Sequence, residues 1–567
     1  MSYKHKKVKA PRLTGWALKA LAAAAENSLT APMIRTQMLG QLGIFDWRAL
    51  PLDKPPMPWP LHPSIKKNHP AAGLDSADKQ GTAAIDLDAL TKKSLPLEHF
   101  ERVADFYRAY LDKRSTPLHV AEKLLAAIDA SEHMDRPLRA FIYVDRQGLQ
   151  DQAQASVARY ARGESLGPLD GVPVAVKDEI DVKGMPTTVG TSYFGKSPAR
   201  QDATVVARLR AAGALIIGKA NMHEIGIGVT GINPKHGTPR NPYNLQHGTG
   251  GSSSGSAAAV AAGFCPIALG ADGGGSIRIP AAFCGQFGLK ASFGRISGFG
   301  AAPLDWSVGH LGPIANNADD LALAYAIIAG ADGNDAFSQQ HSMPELENLH
   351  APDLKGLKIG VYDAWFDDAS GEVVAQCRQA LQRAQKLGAE LQSIQISDLH
   401  NYHMAHLVTI VGEMSASQQQ ALQAGHKHGT DVRLNLALAQ GLRASDYVQA
   451  QRWRRQAVDS LQDLFRQVDM IATPSTGLTA PVLHPDALAE GESDLELLSN
   501  IMRFSTLGNL TGLPALSLPA GFDAQGLPVG LQLMAAPWQE SVLLRTARAL
   551  SLDLERPAPA WHVRLLD

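Results

Sequence analysis

Cysteine is scarce in this 567-residue chain: Cys265, Cys284 and Cys377 are the only three. One must stay unpaired in any disulfide scheme, and no two stand at metal-ligand spacing. A disulfide scaffold is excluded, and a reducing, cytoplasmic setting is expected. An excess of charge of one sign is missing too, because 53 Lys and Arg face 55 Asp and Glu for a formal charge of −2. With no basic surplus, nucleic acid is not an expected partner. No stretch of 18 apolar residues occurs, so no membrane-spanning helix is expected. The opening Lys4-His5-Lys6-Lys7, followed by apolar Trp16 to Ala25, has the outline of a signal peptide, but Pro11, Arg12 and Lys19 argue against one. With 45% hydrophobic and 19% charged residues, the chain can bury a large core, and wholesale disorder is excluded.

The sequence divides into three zones. Residues 1–50 read as an amphipathic helical arm. Thr14 stands as a cap, Trp16, Leu18, Leu21, Ala22 and Ala25 gather on one side, and Met33, Ile34, Met38, Leu39 and Leu42 follow Pro32. Such an arm either packs on the body, caps a substrate mouth or makes peripheral contact with a membrane. Residues 51–95 open with Pro51, Pro55, Pro56, Pro58, Pro60 and Pro63, an extended tether rather than a folded element. From 96 to 567 strand and helix signals alternate, which predicts an α/β catalytic domain. Helices are predicted over Leu97–Lys113, Pro117–Ser131 and Thr204–Ala212, with another that Ser370 caps and Gly388 stops. Strands are predicted over Val172–Val176, Ala214–Ile217, Leu357–Tyr362, Leu391–Ile396, Leu513–Leu518 and Val529–Met534. The run Asn241–His247 reads as no strand.

Two glycine-rich segments carry serines. The second, Gly270-Ala271-Asp272-Gly273-Gly274-Gly275-Ser276-Ile277-Arg278, has three consecutive glycines that can aim successive N–H groups into one concavity. Ser276 ends that nest, so its hydroxyl and those donors can address one carbonyl group. Read alone, the segment is equally an ordinary tight turn. The first, Gly250-Gly251-Ser252-Ser253-Ser254-Gly255-Ser256, formally satisfies the G-x-S-x-G elbow around Ser253, but that motif requires a strand before it. Neither segment is followed by the Gly-Lys-Ser/Thr of a phosphate-binding loop. Lys177 ends the apolar run Val172-Pro173-Val174-Ala175-Val176. At a reference pKa of about 10.4 its ammonium is no base at pH 7, but burial can neutralise it. Read alone, Lys177 is a charged lysine paired with Asp178 or Glu179. Together the parts offer acyl transfer a nucleophile, a base, a bridging hydroxyl and oxyanion donors.

These two segments resemble those of the amidase signature family, and the steps from Lys177 to Ser252 and on to Ser276, 75 and 24 residues, look like those of its fatty acid amide hydrolases. The stretches Lys9-Ala10-Pro11-Arg12-Leu13-Thr14-Gly15 and Gly218-Lys219-Ala220-Asn221-Met222-His223-Glu224 are similar to the plant branch. So are GGSSSGS and DGGGS, where the commoner pattern has GGSSGG and a bulkier residue at position 273. The resemblance implies a large mixed sheet sandwiched by helices and a Ser-Ser-Lys triad. In it Ser276 is the nucleophile, Ser252 the bridging serine on a cis peptide and Lys177 the base. Gly273, Gly274, Gly275 and Ser276 would donate the oxyanion-hole N–H groups. Asp272 and Arg278 would pair to hold the loop, with Ser253 beside them in support. It also implies no metal or organic cofactor, a homodimer, and an N-terminal lid over an acyl channel.

The expected activity is hydrolysis of small-molecule amides through an acyl-enzyme, with esters and carbamates (urethanes) accepted by the same chemistry. Two rival readings are the amidase subunit of a tRNA-dependent transamidation complex and a non-catalytic binding homologue. The long N-terminal extension and balanced charge speak against the first, and intact Lys177, Ser252 and Ser276 against the second.

Overall fold

The apolar run that ends at Lys177 forms the strand Pro173–Lys177, buried at every position. The computed structural model describes residues 10–61, 91, 99–338, 346 and 348–567, and in it this strand lies inside one mixed sheet of 11 strands flanked by helices. Across the sheet the order is Glu390–Ser393, Lys358–Val361, Met470–Pro474, Pro528–Ala535, Ala515–Phe522, Phe287–Lys290, Leu311–Ala315, Ile267–Ala271, Pro173–Lys177, Leu215–Ala220 and Phe141–Val144. The chain is thus α/β, as expected. Pro173–Lys177 runs parallel to both neighbours, with Val176 opposite Leu269. Parallel strands finish at one edge, so Lys177 and the loop after Ala271 emerge together, where open α/β sheets bind ligands.

Nearly continuous Val, Ile, Leu and Ala in these strands follows from burial on both faces. The largest core cluster joins Val174, Val176, Ile216, Ile267, Leu269, Ile314, Leu516 and Leu531. Among the described residues no helix is long and apolar enough to cross a membrane. All three cysteines are buried and free.

Several boundaries differ from the sequence reading. The predicted Leu97–Lys113 helix is Val103–Leu111, with 97 and 98 outside the described residues. Pro117–Glu132 forms as expected, with Thr116 accepting from the His119 N–H. Thr14 does occupy the N-cap of Gly15–Glu26 but caps nothing, because its hydroxyl donates to Asp486. The run Asn241–His247, strandless by its sequence, is not so in the fold. Arg240–Asn241 and Asn244–Gly248 pair as a small antiparallel ribbon, held by partners and not by an apolar pattern. The strands Phe141–Val144, Phe287–Lys290, Leu311–Ala315 and Met470–Pro474 carry too few periodic residues to announce themselves.

The arm packs on the body through part of its apolar surface. Leu18, Ala22, Ala25, Leu39, Ile44 and Trp47 are buried, but Trp16 is 83% and Met33 65% exposed. Arg12 pairs with Asp486 and Glu492, and Leu13–Thr14 adds a strand to Glu492–Ser493. The proline run is docked as far as residue 61. Met57 N–H donates to Gln451 O, and Arg454 donates to Pro58 O. The rest of residues 62–95, Thr91 excepted, lies outside the described residues.

Trp47 sits in a core cluster with Leu39, Trp365, Tyr402 and Leu438. Trp47→Ala is expected to cost about 3–5 kcal/mol of unfolding free energy. Denaturant titration checks this, and a loss under about 1 kcal/mol would mean that the arm is not part of the cooperative core.

Candidate active site

Three stretches converge where the parallel strands end. Lys177 is fully buried, and its Nζ lies 2.8 Å from Ser252 Oγ, 3.1 Å from Glu179 Oε2 and 3.3 Å from Ala271 O. Burial pulls its pKa below the ordinary lysine range, while the Glu179 carboxylate opposes that shift. Of the two carboxylates expected as bland partners, Glu179 pairs with it. Asp178 turns instead to Lys219 at 3.3 Å and accepts the N–H groups of Thr188 and Gly190.

Ser252 follows a cis peptide bond from Gly251, and its carbonyl accepts the His223 N–H at 3.2 Å. Ser253 joins the two glycine segments. Its N–H donates to Ser276 O, and its hydroxyl exchanges hydrogen bonds with the N–H and carbonyl of Ala271. That buried, committed hydroxyl rules out the Ser253 elbow on better grounds than a missing strand. Ser254–Ala261 forms the following helix, packed so closely that a Cβ on Gly255 would lie 2.2 Å from Ala140 O.

The 272–278 loop is built around one ion pair. Arg278 Nε and Nη2 each lie 3.0 Å from an oxygen of Asp272, with both side chains fully buried. Burial alone would raise the Asp272 carboxyl, but Arg278 holds it well below the usual carboxylate range. Arg278 also donates to Ser505 O, Gln532 Oε1 and Asn509 Oδ1, and Asn509 Nδ2 donates back to Asp272. The Gly275 N–H, which the resemblance enlists for an oxyanion, here donates to Asp272 Oδ1 at 2.6 Å. The N–H groups of Gly273, Gly274 and Ser276, and the Ser276 hydroxyl, make no hydrogen bond among the described residues. Gly275 adopts φ +120°, where a side chain would meet Ile279 and Ser505.

Two residues with no sequence signal fix this loop from outside. His406 Nε2–H donates to Gly273 O at 2.7 Å, and Ser505 Oγ–H donates to Gly274 O at 2.7 Å. A peptide is planar, so anchoring the Gly273 carbonyl aims the Gly274 N–H the opposite way. Burial lowers His406 to about 4, against the hydrogen bond to Gly273, so at neutral pH the ring is uncharged and Nε2 keeps its proton. Both residues lie more than 130 positions from the loop along the chain.

A cavity of about 370 Å³ opens on Lys177, Ser252 and Gly273; Glu179, Asp305, Phe293 and Trp59 also line it, whereas Ser276 does not. Its size falls in the range of small-molecule sites. No residue of 15–48 lines it, and the N-terminal contribution is Trp59 of the proline run.

The amidase family model matches residues 122–544, which include every residue named above around Lys177, Ser252 and the 272–278 loop, though not Trp59. The chain belongs to the amidase signature family. It is 37% identical to a fatty acid amide hydrolase of Medicago truncatula, over 97% of this chain and 94% of that one. It is 36% identical to one component of the glutamyl-tRNA(Gln) amidotransferase of a Roseiflexus species, over 83% and 99%. A solved structure from a vestigial complex bearing on the origins of an s-triazine catabolic enzyme is 32% identical, with a TM-score of 0.73, over 80% and 98%. This amidase is an amide-cleaving hydrolase.

In this amidase, losing Arg278 would strand a buried carboxylate. Arg278→Met is expected to cost about 3–5 kcal/mol of stability. Denaturant unfolding would show it; a cost below about 1 kcal/mol would mean that Asn509 and the loop amides suffice to hold Asp272.

Proposed function

We propose that the amidase acts through Ser276, Ser252 and Lys177, and that it cleaves acyl amides by way of an acyl-enzyme. The 2.8 Å approach of Lys177 Nζ to Ser252 Oγ, both side chains buried at the end of the cavity, carries the reading. A neutral amine has two N–H groups and one lone pair. Glu179 and Ala271 O are placed to accept the first two, which leaves the lone pair for the Ser252 proton. Lys177 takes that proton as Ser252 takes one from Ser276, whose oxygen adds to the substrate carbonyl. The negative charge that develops on the carbonyl oxygen meets N–H groups of Gly273, Gly274 and Ser276. Removing one such donor costs about 3–4 kcal/mol in comparable hydrolases. The proton returns through Ser252 to the departing amine, and water then releases the acid.

Long-chain acyl amides are the substrate class that the plant relatives suggest, since the Medicago enzyme spans nearly the whole of this chain, arm included. Esters and carbamates would enter the same chemistry. Trp16, Leu29 and Met33 expose apolar surface on the arm, which suits peripheral contact with a membrane that holds such substrates.

Ser276→Ala should lower amide turnover by about 10⁴-fold or more while the fold persists. A fluorophosphonate should label Ser276 in the wild type, and labelling of Ser253 or retained turnover would refute the assignment. Glu179 supports the charged form of Lys177, so Glu179→Gln should lower that lysine's pKa further. The acid limb of the pH–rate profile, along which rate rises as Lys177 loses its proton, should then move to lower pH. An unmoved limb, or one moved to higher pH, would contradict a neutral-lysine base.

A further inference from the structure

The cavity beside Lys177 contains a carboxyl group that nothing in the fold employs. Asp305 Oδ1 is shut off from solvent and has no hydrogen-bond partner among the described residues. Its neighbour Glu413 is fully engaged, accepting from the Trp306 and Ser307 N–H groups, the Ser307 hydroxyl and Tyr447 Oη. Asp305 is seated by two glycines. A Cβ on Gly273 would come within 2.6 Å of its Oδ2, and one on Gly309 within 2.5 Å of its Oδ1. The charged groups near it are the carboxylates of Glu413, Glu179 and Asp272 and the cations Lys177 and Arg454. Asp272 is matched by Arg278 and Lys177 by Glu179, and Arg454 donates to Met57 O, Pro58 O and Ser307 Oγ, so among the described residues Asp305 has no ion-pair partner.

The same cavity is also lined by aromatic rings. Trp59 and Phe337 have ring centroids 4.5 Å apart, Phe293 and Phe337 5.2 Å, and Phe293 and His310 5.7 Å. Burial holds His310 well below the ordinary histidine range, so that ring adds no positive charge. Aromatic faces and an unpartnered carboxyl group lining one cavity are surroundings that suit an alkylammonium group. Burial, with the nearby Glu413, Glu179 and Asp272 carboxylates, also keeps the empty Asp305 carboxyl well above its usual range. An incoming cation would discharge that proton.

We propose that this cavity receives the amine half of the substrate and selects amines bearing a second, protonated nitrogen, with Asp305 reading that charge. The inference rests on the hydrolytic reading above and adds the amine to it. A mono-acylated butane diamine presents its free ammonium a few carbons beyond the amide nitrogen. The pentylamine amide of the same acid has the same length and no charge.

Binding of the two amides to the full-length Ser276→Ala protein, followed by calorimetry, separates recognition from chemistry. The charged amide should bind at least about tenfold more tightly, and in Asp305→Asn that preference should fall to about twofold or less. Trp59→Leu, a change outside the reacting groups, should also narrow it. In the wild type, butylammonium should inhibit hydrolysis of the pentylamide competitively where butanol does not. Equal binding of the two amides, or a preference that survives Asp305→Asn, would overturn the proposal. If Asp305→Asn does not fold, the first comparison and the inhibition still decide. Absence of turnover with both amides in the wild type would instead count against the hydrolytic reading, which the binding comparison does not use.

Discussion

The Asp272–Arg278 pair is the constraint from which the rest of the site follows. A buried carboxylate needs several donors, and Asp272 finds them in Arg278, Asn509 and the amides of Gly275 and Ile277. Collecting loop amides around one carboxylate curls the backbone, and three glycines permit the curl. Arg278 then carries the restraint outward to Gln532, in the middle of the sheet, and to Ser505 and Asn509. The loop is thus held by its own carboxylate on the inside, and by His406 and Ser505 on its carbonyls. Among the described residues the N–H groups of Gly273, Gly274 and Ser276 remain unbonded, so the free donors are a by-product of how completely the others are used.

Lys177 poses the opposite problem. Its surroundings must make the ammonium unfavourable without leaving the amine unanchored. Burial does the first and outweighs the nearby carboxylate. Glu179 and Ala271 O do the second, at distances that fix the nitrogen beside Ser252. The ion pair and the lowered pKa of this lysine are therefore not exclusive: Glu179 orients the amine while burial disfavours its charge. Asp178 is the stronger competitor by sequence adjacency, and Lys219 removes it from contention.

The parts of the site that can be read from the sequence are those encoded within a few residues. Glycine runs need no partner to be recognised, and a lysine that ends an apolar strand is visible as an anomaly. The α/β class follows from alternating strand and helix signals. His406, Ser505, Asn509 and Asp305 cannot be seen this way, because each is an ordinary polar residue on its own element and gains meaning only through contacts distant along the chain. The Asn244–Gly248 ribbon escapes such a reading because its pattern is polar, and pairing rather than burial makes it a strand. Trp16 illustrates the reverse error. Helical spacing gathers it with Leu18 and Ala25, but those two pack on Leu434 and Ala437 of the Thr430–Ala439 helix while Trp16 stays exposed.

The proline run shows how a segment poor in donors can still be fixed. Prolines remove N–H groups, so this stretch offers neighbours mainly carbonyls, and docking it requires donors from elsewhere. Arg452 and Arg454, on the helix Ala444–Leu464, supply them to Leu52, Lys54, Met57 and Pro58. Arg454 continues to the Ser307 hydroxyl at 2.8 Å, two residues from Asp305. One guanidinium therefore ties down both the segment that bears Trp59 and the loop that bears Asp305, and both residues line the same cavity. Loop 272–278 and Lys177 are organised by contacts around the sheet edge, whereas these two are organised by a helix late in the chain.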